Sequence, residues 1–523
     1  MSRFGTAQAR GIALANVVAL LAGLFLWYRT PPSLAVSITS RSEISCGDIS
    51  HPTTSGYVHL AGGSLFFSLI QAREEAKNDG LVIYFEGGPG ASAMDYPFLG
   101  AGPCQLTPDG GTNLSPAPYP WTDYANLLIL EYPVPTGWSY NRTDQTPHHS
   151  SAGAAEDFDD FLQAFLREFP QFIRQPLIIS TLSYGGTTSA HIASTLVKRN
   201  KASGYLTRRI PKIIDQLVLG NPFNDVESVS YQNIQHLCHS DPPVLSQFVC
   251  DHLSRQHAPC FDLLLPLLNP STSHLSTRAS RRKAWDVCVA PFEMMWKDVS
   301  CDRHDRRKPP CWPPNTCMWW SESLKALMNS AEMRKTLGVP EHITWNFIGY
   351  AHLYFVQDGD NLQASYHLLP EVIEAGTRVL VYSGMNDTVL PYENAAAWVR
   401  LPYSPTGDLG FSLPPSPPQG YTRIKTPRLM TTQMAKLPSP HLAAFQSDPI
   451  PIFIPPSIPS TSTSPGAAGG LTAGMQGVVK NPGGDVTLVG IAEAGHLVEA
   501  DQPEVLARII GEAVKGRCWD PLR

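Results

Sequence analysis

Three residues far apart in this chain could together carry out nucleophilic chemistry: Ser183, Asp387 and His496. A serine hydroxyl attacks a carbonyl carbon once a base takes its proton. A histidine serves as that base when a carboxylate fixes its tautomer. The chain order Ser, Asp, His is the one in which an α/β sheet delivers such a triad from successive strand ends. In that arrangement Ser183 is the nucleophile, His496 the general base and then the general acid, and Asp387 the group that orients His496. Each residue also has a plain reading, as a turn serine, a turn aspartate and a loop histidine. The conjunction is informative because each of the three closes an apolar run.

Those runs are the elements that must position them. Leu177-Ile178-Ile179-Ser180-Thr181-Leu182 is β-prone and breaks at Ser183-Tyr184-Gly185-Gly186, before a helix-permissive segment. Strand, sharp turn, Ser, small residues and helix read as a nucleophile elbow, with Thr181 standing where the pattern usually has its first Gly. Leu81-Val82-Ile83-Tyr84-Phe85 ends at Glu86-Gly87-Gly88-Pro89-Gly90, a turn able to offer an unencumbered N–H. Gly88 and Tyr184 are therefore the candidate main-chain donors to an oxyanion. Strands over 378–382 and 486–491 lead to Asp387 and His496. Further buried strands are expected at 127–130 and 213–219, with a helix whose apolar face includes Phe158, Phe161 and Phe165. Strands alternating with helices predict an α/β fold with a mostly parallel sheet.

Bulk properties narrow the class. A chain of 523 residues can hold one large α/β domain with insertions, and 43% hydrophobic content can fill its core. A net charge of −6 and no basic run argue against a nucleic-acid partner. Arg3 and Arg10, an apolar run over 11–28 and Ser33-Leu34-Ala35 read as a secretory signal peptide over 1–35. An uncleaved signal anchor is the alternative, and the one route to a membrane partner. Ten cysteines fit an oxidising compartment. Cys238, Cys250, Cys260, Cys288, Cys301, Cys311 and Cys317 cluster around histidines, yet their spacing fits no zinc pattern. Disulfides are expected there, with pairing left open and no metal or cofactor. Asn113 and Asn141 head glycan-acceptor triplets, and Asn386 heads a third that contains Asp387. The organisation expected is an α/β core over 36–225, 346–400 and 475–523. It is interrupted by a Cys-rich, cap-like insertion over 226–345 and a Pro/Ser-rich stretch over 401–474 without a packed core.

Several stretches make the chain resemble the serine carboxypeptidase family of α/β-hydrolases. The 82–93 segment, Val-Ile-Tyr-Phe-Glu-Gly-Gly-Pro-Gly-Ala-Ser-Ala, is similar to W-L-N-G-G-P-G-x-S-S. Residues 130–140 resemble L-D-Q-P-V-G-T-G-F-S-Y, Ser183-Tyr184-Gly185-Gly186 resembles the end of G-E-S-Y-G-G, and residues 220–225 resemble G-N-G-x-x-D. Residues 381–387 are similar to I-Y-x-G-D-x-D, and 494–503 to A-G-H-M-V-P-x-D-Q-P. The resemblance implies Ser183, Asp387 and His496 as triad and Gly88 and Tyr184 as oxyanion donors. It also implies release of residues from peptide C-termini through an acyl-enzyme, so a peptide or protein substrate in the secretory pathway, secreted or vacuolar.

Three positions depart from the pattern. The family binds the substrate's α-carboxylate with an Asn, a Glu before the nucleophile and a Glu ahead of a later Gly-Pro. Here these are Glu86, Leu182 and Gly100. No second carboxyl is expected beside Glu86. Glu86, with Gly87 and Leu182 flanking it, is then expected to bind the substrate carboxyl alone, when protonated. Acyl transfer or ester hydrolysis is the alternative activity, and a secreted binding protein with a decayed site the third. Asp387 and His496 stand 109 positions apart, and the Pro/Ser-rich stretch that lengthens this separation is read as an inert surface loop, with shielding of the site as the alternative.

Overall fold

A computed structural model describes residues 35–141, 147–202, 209–240, 242–268, 277–291, 305, 308, 318, 320–399, 450–453, 472–481 and 484–517. Fourteen strands are among them. In chain order they are β1 (Ala35–Cys46), β2 (Ile49–His59), β3 (Gly63–Ile70), β4 (Leu81–Phe85), β5 (Cys104–Leu106), β6 (Leu114–Pro116) and β7 (Asn126–Leu130). Then come β8 (Tyr140–Asn141), β9 (Leu177–Leu182), β10 (Gln216–Gly220), β11 (Arg378–Gly384), β12 (Ile450–Phe453), β13 (Thr472–Asn481) and β14 (Gly484–Ile491).

Twelve of these strands form one sheet in the order β1-β2-β3-β7-β4-β9-β10-β11-β14-β13-β12, with β8 beside β3. The six central strands, from β7 to β14, run parallel. All five residues of β4 are buried, as a strand covered on both faces requires. Its side chains alternate between two cores. Val82 and Tyr84 face Tyr96, Trp121 and the closing helix Pro503–Val514; Leu81, Ile83 and Phe85 face the helix Ser151–Glu168. That second helix is capped by the Ser150 side chain and buries Phe158, Phe161 and Phe165 on the sheet. Chain order reverses between β4 and β9, which puts the switch point of the sheet beside the end of β9.

Between β10 and β11 come helices at Val226–His239, Gln247–Leu268, Arg278–Cys288, Trp320–Asn329 and Ala331–Leu337. Disulfides Cys238–Cys250 and Cys260–Cys288 brace the first three. A small core of Val229, Leu237, Val249 and Leu253 takes in Leu390, three residues past Asp387, so these helices pack at the carboxyl edge of the sheet. Cys46–Cys104 ties β1 to β5. Cys301, Cys311 and Cys317, and the N-terminal segment over 1–34, lie outside the described residues. Among the described residues no helix is long and apolar enough to cross a membrane.

The Pro/Ser-rich stretch differs from expectation at its distal end. Ile450–Phe453 is a strand, and β13 begins at Thr472, inside the 401–474 segment. Both extend the sheet antiparallel from β14. The remainder of that stretch lies outside the described residues.

Candidate active site

The reactive residues follow the carboxyl ends of neighbouring parallel strands. Ser183 follows β9, Asn221 follows β10, Asp387 lies just past β11 and His496 past β14. Phe85 pairs with Thr181 in register, so the Glu86-Gly87-Gly88 turn sits directly beside the serine.

Ser183 adopts φ 58, the left-handed region that a non-glycine residue enters only under local constraint. The constraint is visible: its N–H donates to Gly220 O at 2.9 Å, and its carbonyl accepts from Phe223 N at 2.9 Å and Gly186 N at 3.0 Å. The glycines after it are sterically required. A methyl at Gly185 would lie 1.4 Å from Thr181 Oγ1, and one at Gly186 would lie 2.6 Å from Pro222 Cβ. Thr181 therefore fits where the usual pattern has Gly because Gly185 leaves space for its hydroxyl.

Asp387 is fully buried, and four N–H groups converge on it. Its Oδ1 accepts from Val389 N at 2.7 Å and Leu390 N at 3.1 Å. Its Oδ2 accepts from Asn221 Nδ2 at 2.5 Å and His496 Nδ1 at 2.7 Å. A carboxylate at Nδ1 fixes that nitrogen as the donor and makes Nε2 the basic nitrogen. Asn221, itself at φ 38, was not marked by its residue type alone; its place at a strand end beside β11 was the available signal.

Gly88 is exposed, while Tyr184 is buried. No described residue accepts from the main-chain N–H of either one. Two such N–H groups on either side of a nucleophile suit an oxyanion. The turn carrying Gly88 is held from outside: Ser92 N donates to Phe347 O at 2.7 Å and Gly349 N to Gly90 O at 2.8 Å. Glu131 anchors it from below, accepting from Ser92 Oγ at 2.8 Å, Trp345 Nε1 at 3.1 Å and Ala93 N at 3.2 Å. Burial pushes the Glu131 carboxyl up to about 7, against those three donors. Tyr184 is fixed from its far end, its hydroxyl donating to buried Asp360 at 2.7 Å, and Asp360 also accepts from Ser151 N at 3.0 Å. Glu131 and Asp360 escaped sequence reasoning because their partners are distant in the chain.

The expectation that Glu86 stands without a second carboxyl is corrected by the structure. Glu86 accepts from Gly87 N at 2.8 Å and from the Tyr84 hydroxyl. Burial raises its proton affinity, opposed by those two bonds and by His496. Asp95 and Glu499 are buried in the same cluster. Burial pushes both well up, and the negative charge of Glu86 pushes them further. Glu499 stands where the resemblance has a Pro, the one sequence signal that could have flagged it. A methyl at Gly100 would lie 3.9 Å from the Glu499 carbonyl oxygen, so the departed Gly100 position abuts residue 499. Leu182 ends β9 as a buried apolar side chain. Of the other predicted sites, Asn113 is exposed, with its Nδ2 on Asp109 Oδ2 at 3.0 Å. Asn141 is half-buried in β8 and borders a groove of about 880 Å³ lined also by Tyr140, His342 and Tyr350. None of Ser183, Asp387, His496 or Glu86 lines that groove.

A mostly parallel sheet with its reactive side chains past successive strand ends defines an α/β-hydrolase. A family model described as serine carboxypeptidase matches residues 46–409. The chain belongs to the serine carboxypeptidase family. Carboxypeptidase Y homolog A of Leptosphaeria maculans is 25% identical over 341 residues, 64% of this chain but 59% of that protein. The chain thus matches under two thirds of that relative's length. Serine carboxypeptidase-like 19 of Arabidopsis thaliana is 25% identical over 439 residues, 78% of this chain and 90% of that protein. The crystal structure of Kex1(Δ)p, a prohormone-processing carboxypeptidase from Saccharomyces cerevisiae, superposes with a TM-score of 0.66. It covers 93% of this chain and 96% of that chain at 18% identity, a likeness of fold. The family match includes Ser183 and Asp387 and ends before His496, which joins the site through its bond to Asp387.

Proposed function

We propose that this protein is a serine carboxypeptidase that releases residues from peptide C-termini through an acyl-enzyme. Ser183 is the nucleophile, His496 the general base and then acid, and Asp387 the residue that orients it, with Gly88 and Tyr184 N–H groups holding the oxyanion. The observation carrying this reading is the His496–Asp387 bond of 2.7 Å at the carboxyl edge that also presents Ser183 in a left-handed turn. Glu86, with Gly87 and Leu182 beside it, faces the substrate. The substrate is a peptide or protein. The three disulfides among the described residues favour an oxidising compartment, so the chain works in the secretory pathway, secreted or vacuolar. Asn113, being exposed, suits glycan attachment better than half-buried Asn141.

A second reading, acyl transfer or ester hydrolysis, is favoured by one observation: buried, apolar Leu182 stands where the resemblance places a carboxyl. One set of assays decides. Fluorophosphonate labelling should be lost in Ser183→Ala. Cleavage of a free-carboxyl peptide, but not of its C-terminally blocked form, supports the exopeptidase. Turnover of an activated ester alone supports the second reading.

A further inference from the structure

The two proposed oxyanion donors belong to different turns. Gly88 follows β4 and Tyr184 follows β9. A reaction that uses both N–H groups at once needs their separation fixed, because stabilisation of developing charge depends on donors already in place. One segment, residues 347–360, meets both turns.

At its start the segment lies on the Gly88 turn. Ile348 and Ala91 form an antiparallel bridge, beside the bonds from Ser92 N to Phe347 O and from Gly349 N to Gly90 O. A methyl on Gly90 would lie 2.8 Å from Ala351 Cβ and 2.9 Å from His352 N, so the turn packs against the first residues of the helix Ala351–Asp358. Those eight residues carry the chain about 12 Å. Phe355 seats the helix, fully buried in the core that also holds Tyr184 and Phe158. Gly359, at φ 72, ends the helix and delivers Asp360. Asp360 is 4% exposed. Its Oδ2 accepts from the Tyr184 hydroxyl at 2.7 Å, Ser151 Oγ at 2.5 Å and Ser151 N at 3.0 Å. Close by, His149 Nδ1 lies 3.1 Å from Asp358 Oδ2, and the His149 ring stacks on Tyr354 at 4.5 Å. The helix is thus pinned at its far end through two acids.

The geometry points to Asp360 as a positioning residue for the reaction, and to residues 347–360 as a strut that sets the two oxyanion donors relative to each other. This rests on the hydrolase reading of Ser183. Asp360 is buried and acts through Tyr184: it fixes the ring of the very residue whose N–H serves the oxyanion. The ring also stacks on Phe223 at 5.5 Å, and Phe223 N donates to Ser183 O at 2.9 Å, so ring and elbow backbone are held as one unit. A bond to a charged acceptor is stronger than one between neutral groups, which is why a buried carboxylate suits the task.

The test is steady-state hydrolysis of an activated ester and of its thionoester, whose sulfur is a larger and weaker hydrogen-bond acceptor than the carbonyl oxygen. Tyr184→Phe removes only the hydroxyl and leaves both Ser151 donors on Asp360, so the fold should be kept. Its kcat on the ester should fall about 10–100-fold, with KM within about threefold of the parent. The ester-to-thionoester ratio of kcat should fall with it, because the loss lies in the oxyanion bonds. Asp360→Ala should match Tyr184→Phe. Asp360→Asn should recover part of kcat, since its amide oxygen still accepts from the phenol. Tyr184→Phe/Asp360→Ala should be no slower than Asp360→Ala, because residues that act through one bond do not add. Parent kcat and parent ratio in Tyr184→Phe overturn the proposal even where Asp360→Ala is slow or unfolded, for Asp360 would then serve only the helix at Ser151. Fluorophosphonate labelling keeps the two readings apart. A parent that labels, with Tyr184→Phe unimpaired, removes the strut and leaves the serine hydrolase. A parent that does not label removes the hydrolase reading, and amide hydrogen exchange then decides the strut. In Tyr184→Phe the bonded N–H groups of Gly186, Thr187 and Phe223 should exchange at least about tenfold faster, and unchanged exchange overturns it.

Discussion

Close packing of the Glu86-Gly87-Gly88 turn against the serine elbow predicts a large effect from one methyl group. In Gly87→Ala the added methyl would lie 2.5 Å from Leu182 O, 2.6 Å from Tyr184 N and 2.9 Å from Ser183 Cβ. Ordinary carbon contacts need roughly 3.5 Å or more, so the turn and the elbow must part by close to 1 Å. Neither side yields easily, because β4 and β9 are hydrogen-bonded neighbours up to Phe85 and Thr181. The displaced group is Tyr184 N, one of the two oxyanion donors proposed above. Loss of one such donor costs about 10²–10³ in kcat, or about 2.7–4 kcal/mol. KM should change far less, since that interaction strengthens in the transition state. Overpacking also costs about 1–3 kcal/mol of stability, so thermal unfolding must show a folded variant at the assay temperature. Gly110→Ala is the control: it too has positive φ, 78, but its methyl would meet nothing within 4 Å. The assay is steady-state ester hydrolysis with the rate of fluorophosphonate labelling. A folded Gly87→Ala with kcat within about threefold of the parent would refute the placement of the oxyanion site.

Three further outcomes are expected. Asn221→Ala removes one of four donors to Asp387 and should lower kcat by about 10–100-fold, the worth of a hydrogen bond to a charged group, measured by steady-state kinetics. Glu131 holds its proton up to about 7 when folded but loses it near 4.5 when unfolded, so stability from this group is full below the lower value and declines as pH rises. The decline amounts to about 3 kcal/mol and should appear in urea unfolding at acid against neutral pH, with a shallower dependence in Glu131→Gln. Replacing Cys46 and Cys104 by Ser opens a loop of 58 residues and should cost up to about 4 kcal/mol, read from the same unfolding curves.

The central sheet was legible because its strands are unbroken apolar runs, a pattern that burial on both faces imposes. β4 spans the very residues expected, and the helix stripe of Phe158, Phe161 and Phe165 lies on the sheet as its period requires. The β1–β2 hairpin left no such trace. β1 is largely exposed or half-buried and polar, and its serines bond distant carbonyls, as Ser40 Oγ does to Thr336 O at 2.6 Å. Strand β12 was missed because composition across 401–474 masks a short apolar run. Within the site, the residues at strand ends could be found and those acting across the fold could not. Asp360 meets Tyr184 across 176 residues, and Trp345 meets Glu131 across 214. Cysteine pairing was illegible for another reason: spacing alone allows many pairings, even for neighbours such as Cys238 and Cys250.

The two residues that flank Ser183 differ in what they can offer the reaction. Burial raises the hold of Glu86 on its proton, and the bonds from Tyr84 and Gly87 and the charge of His496 oppose that. By the same attraction, an imidazolium that forms at His496 is stabilised by negative charge on Glu86. Leu182, the residue before Ser183, is buried and apolar, so β9 brings no ionisable group of its own to this edge; the buried carboxyls Glu86, Asp95 and Glu499 come from other elements.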